Sequence, residues 1–309
     1  MELFHHKTKY DFMGMRKYTA IFSALILVGS AVVLFTKGLN FGLDFTGGTQ
    51  LEVRFKGVVD LEDVRTELGK DHLSDAKVTQ YGSAQDYLIR IPNRVDISEQ
   101  ELGRKVLSSL HTKYPDVDLR RVEFVGSEVG EHLAEQGALA VVVALLATMI
   151  YIAMRFEYRF AVSAGLALLH DPICILGYFS LFQIEFDLAT LAAILAVIGY
   201  SLNDTIVVYD RVRENFRKLR KGTPVEIMNI SINETLSRTI MTSALTLMVV
   251  VALFIYGGES LHGFSLALMI GIVIGTYSSI YIAGALALKM GLSKADLISS
   301  SKKPLDDLP

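Results

Sequence analysis

Leu188-Ala-Thr-Leu-Ala-Ala-Ile-Leu-Ala-Val-Ile-Gly-Tyr-Ser-Leu-Asn-Asp-Thr-Ile-Val-Val-Tyr-Asp-Arg211 is the stretch on which the fold turns. About 20 residues at 1.5 Å each cross the roughly 30 Å of a bilayer's hydrocarbon core, so the run predicts a membrane-spanning helix over 188–209. Asn203 and Asp204 interrupt its apolar character. An ionised carboxylate costs roughly 2.5 to 3.5 kcal/mol at the centre of such a helix, so a chain that needs only an anchor has less costly choices. Two readings stand side by side. Asp204 lies about five residues, roughly 8 Å, from the predicted helix end and reaches the headgroups or a neighbouring helix; or it is part of a proton or ion relay, the default hypothesis for an ionisable group within a span.

Outward from this helix, long apolar runs recur along the chain. A mean hydropathy of +0.39 over 309 residues marks an integral membrane protein. The net charge of −3 gives no indication of nucleic-acid binding. The lone cysteine, Cys174, has no partner for an internal disulfide. An apolar run from Tyr18 to Phe35 follows Lys7, Lys9, Arg16 and Lys17. It is long for a secretory signal and has no small-x-small cleavage site before Lys37, so it predicts a retained first span. Further spans are predicted at 133–154, 160–182, 239–256 and 264–289, six in all. They divide the chain into a tail and first span (1–37), a hydrophilic insertion (38–132), a helix bundle (133–290) with a basic loop at 210–237, and a tail (291–309) whose last residues, Ser299 to Pro309, read as disordered.

Lys and Arg collect in alternate loops: the N-terminal tail, Arg155 to Arg159, Arg211 to Lys221, and the tail with Lys294, Lys302 and Lys303. The turns 183–187 and 257–263 contain neither residue. By the positive-inside rule both termini are cytoplasmic and 38–132 is extracytoplasmic, as expected of a multi-pass membrane protein. The Arg211–Lys221 density also suits an anionic lipid surface. After Thr223-Pro224, Ile227, Ile230 and Leu236 predict a short helix lying along that surface.

In the insertion, Leu51, Val53 and Phe55 alternate with polar residues as in a half-buried strand. Leu61, Val64 and Leu68 follow at helical spacing behind Asp60, a candidate N-cap. Strands are predicted at 77–81 and 87–91 around Gly82-Ser83, a helix from Leu102, Val106 and Leu110, and a last strand at 119–125. The order strand, helix, strand, strand, helix, strand is that of a ferredoxin-like α+β domain.

Three polar features fall in or at the edge of the spans: His170-Asp171-Pro172, Asn203-Asp204, and Arg238 with Thr239, Thr242, Ser243 and Thr246 after it. By depth, the Arg238 guanidinium reaches inward toward Asp204. That pair reads equally well as a proton relay or as an ion pair locking two helices. His170 beside a mid-span proline is read first as a hydrogen-bonding partner, while Asp171 is deeper. Gly42-Leu-Asp-Phe-Thr-Gly-Gly-Thr49 lacks the Gly-x-x-x-x-Gly-Lys spacing of a phosphate cradle and opens onto a strand. It reads as a shaped linker built on Asp44, Gly47 and Gly48. No nucleotide motif, cysteine-based metal site or nucleophile elbow is present, so no cofactor is expected.

With those residues in view, the chain resembles the SecF family, the smaller subunits of SecDF protein-export complexes in the RND superfamily. The resemblance rests on Gly42–Thr49, Val125-Gly-Ser-Glu-Val-Gly130, Ala167-Leu-Leu-His-Asp171, Gly199–Asp204 and Arg211-Val-Arg-Glu-Asn215, which occur in one order over roughly residues 10–290. Ser127 departs from the family's proline. The resemblance implies a partner SecD, association with the SecYEG channel, an exported unfolded polypeptide as substrate, and use of the proton motive force rather than enzymatic turnover. It carries a proton-moving role to Asp204 and Arg238, with weaker carry-over to Asn203, His170 and Asp171. Against it stand a scaffold that conducts no protons, a half-size RND exporter of small molecules, and an intramembrane aspartyl protease using Asp171 and Asp204, which lacks that class's Gly-x-Gly-Asp signature.

Overall fold

The computed structural model describes residues 8–80, 82–92, 99–219 and 221–292. Six helical stretches in it are long and apolar enough to cross a membrane. These are α1 (Arg16–Lys37), α5 (Ser127–Arg155), α6 (Tyr158–Phe182), α7 (Leu188–Lys218), α8 (Pro224–Tyr256) and a sixth stretch. That last one is α9 (His262–Tyr277), a π-helical segment (Ser278–Ala283) and α10 (Gly284–Lys289). The predicted disordered tail lies outside the described residues.

Between α1 and α5 lies the α+β domain. After β1 (Asn40–Phe41) and a short α2 (Leu43–Thr46) come β2 (Gly48–Arg54), α3 (Leu61–Lys70), β3 (Lys77–Gln80), β4 (Asp86–Ile91), α4 (Glu99–Lys113) and β5 (Asp118–Val125). The sheet order is β3-β4-β2-β5 with every neighbour antiparallel, the ferredoxin-like arrangement. Its core follows from the period-two pattern: Leu51, Val53 and Ile89 on one sheet face meet Val64, Leu68, Val106 and Leu110 from the two helices. Each large apolar side chain so buried contributes about 1.5 to 3 kcal/mol. Asp60 caps α3 by accepting from the Glu62 amide at 2.9 Å.

The domain is tied to the helix bundle rather than tethered by one strand of chain. β1 pairs in parallel with β6 (Glu185–Phe186), just before α7. The Gly42 amide donates to the Phe186 carbonyl at 2.8 Å, Phe45 stacks on Phe186, and Arg90 of β4 forms an ion pair with Glu185. Two consecutive glycines, Gly47 (φ 64) and Gly48 (φ 126), make the turn from α2 into β2 in backbone conformations that side chains rarely adopt. Gly130 of α5 packs so closely on this turn that a Cβ there would lie 2.9 Å from the Gly47 nitrogen.

On the opposite side of the bundle the structure corrects two expectations. The segment after Thr223 is not a separate helix along the surface, because α8 runs unbroken from Pro224 to Tyr256. A capping box between Thr223 and Glu226 starts it, and no glycine or proline interrupts it before Gly257. Ile227 and Leu236 are buried with Met228 and Ile232 against Met13, Val212 and Phe216; Ile230 alone of the three expected to face lipid is exposed. Likewise the basic run is not a loop offered to lipid. Residues 211–218 continue α7, and Arg211, Arg213 and Lys218 are partnered within the protein. Arg211 lies 3.0 Å from Glu214 and 3.7 Å from Glu234, Lys218 pairs with Glu214, and Arg213 lies 3.4 Å from Glu157. Glu214 at helical spacing on α7, with Glu234 of α8 and Glu157 at the start of α6, satisfies these cations, which counting Lys and Arg alone does not register.

Candidate functional site in the helix bundle

Two buried acids lie on neighbouring spans, and their surroundings differ. α6 carries His170-Asp171-Pro172 through its middle and remains one helix across the proline. Asp171 is 0% exposed. Its Oδ1 is 2.9 Å from His170 Nδ1, while its Oδ2 accepts from Ser201 of α7 at 2.5 Å and from Ser278 of the sixth span at 2.9 Å. Ser278 opens the π-helical segment, whose next residue, Ser279, lies 2.8 Å from Thr205 and donates to the Ser201 carbonyl. A π-turn widens a helix by one residue, and here it presents two adjacent hydroxyls to α6 and α7.

Small residues allow this approach. Gly271 and Gly275, one turn apart on α9, face Val197 and Ser201 of α7. A Cβ at Gly275 would stand 3.0 Å from Ser201 and 3.5 Å from Asp171 Oδ2. The Gly-x-x-x-Gly spacing brings two backbones together where lipid supplies no hydrophobic drive.

Asp204 lies on α7 between Ser201 and Val208 and is 3% exposed. Unlike Asp171 it is not fully partnered, since its Oδ2 is buried without a hydrogen bond. The Ser243 hydroxyl and the Arg238 charge, both on α8, are near enough to act on it. Among the described residues no direct ion pair joins Arg238 to Asp204, and Arg238 is exposed. The inward-reaching guanidinium foreseen from depth is therefore not closed onto the acid in this structure. Asn203, next in sequence, points away from the bundle on the exposed face of α7. Around Asp204 runs a hydroxyl chain: Tyr200 donates to Ser243 at 3.3 Å, Ser243 lies 2.7 Å from Thr276, and Thr276 donates to the Ile272 carbonyl at 2.8 Å. Thr239 Oγ1, one turn from Ser243, is buried without a partner.

The structure thus brings His170 and Asp171 together, sets Asp204 on the same helix as the serine that binds Asp171, and leaves Asn203 and Arg238 outward. Asp44 stands apart from them at the domain end, where its Oδ2 accepts the Leu188 amide at 2.9 Å, the first N–H of α7. Among the described residues no group of three His, Cys, Asp or Glu side chains is placed to hold a metal ion. Ser201, Ser278 and Thr276 carry much of the polar network and were not singled out from the sequence. For Thr276 and Ser278 the signal was a Gly-x-x-x-Gly followed at once by Thr276, Ser278 and Ser279 in an apolar run.

Comparison with known proteins places this arrangement. Residues 105–293 match the family of protein export membrane proteins SecD/SecF, C-terminal, and residues 32–57 match the SecD/SecF GG motif. The chain is 51% identical over 288 residues to the protein translocase subunit SecF of Vibrio alginolyticus, covering 93% of this chain and 91% of that one. The chain belongs to the SecF family. To the family member of Pseudomonas aeruginosa it is 47% identical over 302 residues, 97% of each chain. A crystal structure of SecDF, a translocon-associated membrane protein from Thermus thermophilus, superposes with a TM-score of 0.85 at 37% identity. SecDF in a super-membrane-facing form matches with a TM-score of 0.70 at the same identity. In both, this chain covers 39% of the solved chain and 93% of itself is covered. The protein is thus a multi-pass translocase subunit of the SecF family, with the family's GG motif at the turn that joins α1, the domain and α7.

Proposed function

We propose that the chain is the SecF half of a complex with SecD, which uses the proton motive force to help polypeptides leave the SecYEG channel. Both termini lie in the cytoplasm of a bacterium and the α+β domain lies outside the inner membrane, with Asp204 as the proton carrier. The observation that carries the reading is Asp204 itself: a carboxyl 3% exposed within a span, with one oxygen unpartnered. A buried acid that served only to lock helices would have both oxygens satisfied, as Asp171 does.

The outward side chains support a partner at this place. Asn203 and Arg238 face out of the bundle beside Asp204, where charged and amide groups in a lone subunit would meet lipid at a cost of a few kcal/mol. A second membrane subunit covering that face would remove the cost and close the proton path between the halves. His170 and Asp171 lie behind it, joined to α7 through Ser201; with both its oxygens partnered, Asp171 holds α6, α7 and the sixth span in place beside the carrier. One charge crossing 100 mV releases about 2.3 kcal/mol, enough to shift a two-state equilibrium about 50-fold. The shift has a route to the domain: α7 carries Asp204, and its first amide is held by Asp44 of the Asp44, Gly47, Gly48 linker.

Replacing Asp204 by Asn tests the reading. In membrane vesicles, Asp204→Asn is expected to abolish the part of export that depends on the proton gradient while the chain still co-purifies with SecD. Wild-type gradient-dependent export in that variant would leave only the scaffold reading.

A further inference from the structure

Ser243 sits where α8 meets α7 and α9, and it is 8% exposed. Three polar groups converge on its hydroxyl: Tyr200 at 3.3 Å, Thr276 at 2.7 Å, and the Asp204 carboxyl within reach. Donor accounting fixes the directions. While Thr276 donates its one proton to the Ile272 carbonyl, Ser243 is the donor across the 2.7 Å contact. Tyr200 donates to Ser243. In that arrangement the single proton of Ser243 goes to Thr276, and Asp204 Oδ2 has no donor.

A neutral carboxyl accepts that arrangement, because it brings its own proton to place on the remaining lone pair of Ser243. A carboxylate does not. It has only acceptors and draws the nearest donor, and a hydrogen bond to an ionised group is roughly twice as strong as a neutral one. We propose that Ser243 is a positioning residue that follows the charge of Asp204: it donates to Thr276 on the sixth span when the acid is neutral, and to Asp204 on the fourth when the acid is ionised. Proton release then withdraws the Ser243 donor from the sixth span, and proton uptake returns it.

This rests on the reading above that Asp204 takes up and releases a proton. The other charged and titratable groups around it are accounted for. From α8 the charge acting on Asp204 is Arg238. From α6, His170 and Asp171 meet α7 through Ser201. The sixth span contributes hydroxyls and two tyrosines, Tyr277 and Tyr281, which turn toward α1 and the N-terminal segment. Tyr200 and Tyr209 are on α7 itself, Tyr209 being bonded to Ser163.

The test is a distance measured against pH in the reconstituted complex with SecD. Nitroxides at Val249 of α8 and Val273 of α9, both exposed, report the separation of the two spans. The native Cys174 is buried and stays unlabelled. The wild type is expected to show two populations whose ratio changes roughly 2- to 13-fold across the titration, the range set by exchanging one hydrogen bond. Ser243→Ala is expected to hold one distribution at every pH, Ser243→Thr to restore the change, and Thr276→Val to remove it. A wild-type pH response in Ser243→Ala, or a pH-independent wild type, overturns the proposal. Failure of the underlying reading shows differently: the response survives Asp204→Asn.

Discussion

Asp44 is expected to hold the start of the fourth span, and removing its carboxylate gives a perturbation of calculable size. Its Oδ2 accepts the Leu188 amide at 2.9 Å, across 144 residues of sequence, while Asp187 separately accepts the Thr190 amide at 2.7 Å. Loss of a side-chain cap costs about 0.5 to 2 kcal/mol, and loss of a carboxylate from the positive end of a helix a further 0.3 to 1 kcal/mol at low salt. Asp44 is half-buried, so the lower part of the combined range applies, about 1 to 2 kcal/mol. For Asp44→Ala that corresponds to a loss of about 5- to 30-fold in the protection of the Leu188 amide against hydrogen exchange. Exchange on peptides covering 183–192 in the detergent-solubilised protein measures it. Asp187→Ala is the control and should expose Thr190 while sparing Leu188. Unchanged protection at Leu188 in Asp44→Ala would refute the linkage of the GG motif to this helix.

Two further outcomes follow from the packing and the ion pairs. Gly271→Leu should force α9 from α7, because a Cβ at Gly271 already collides with Val197; overpacking of about 1 to 3 kcal/mol should speed maleimide labelling of buried Cys174 in detergent roughly 5- to 150-fold, and an unchanged rate would contradict the close approach. In the α+β domain the Arg54 guanidinium, bonded at 2.5 and 2.6 Å, holds the Asp86 carboxyl below the usual carboxylate range, with Ser83 adding a hydrogen bond. Because the folded value is the lower one, this stabilisation is present above the unfolded value near pH ~4 and is lost as the pH falls through the folded value. Exchange protection of β4 should therefore fall on acidification in the wild type and lose that part of its pH dependence in Asp86→Asn.

The membrane spans and the domain order were legible because each depends on periodicity within a few residues. Leu51, Val53 and Phe55 alternate, Asp60 precedes a helical pattern, and the apolar runs are of bilayer length. The continuation of α7 to Lys218 and the unity of α8 were not legible from charge density. Glu157 and Glu234 reach Arg213 and Arg211 only once α6, α7 and α8 are packed, and Ile227 reads as lipid-facing until Met13 and Phe216 cover it. The same holds at the site. His170, Asp171 and Asp204 stand out as polar residues in apolar surroundings, whereas which acid is fully partnered depends on Ser278, 107 residues from Asp171, and on a π-turn that spacing does not announce.

Proton movement through Asp204 is measured most directly with the SecD complex in liposomes that enclose a pH-sensitive dye, under an imposed proton gradient and with exporting substrate present. The wild type is expected to acidify the lumen, and Asp204→Asn to fall to the leak of empty liposomes while Asp44→Ala retains flux. Equal flux in wild type and Asp204→Asn would contradict the assignment of this acid as the carrier.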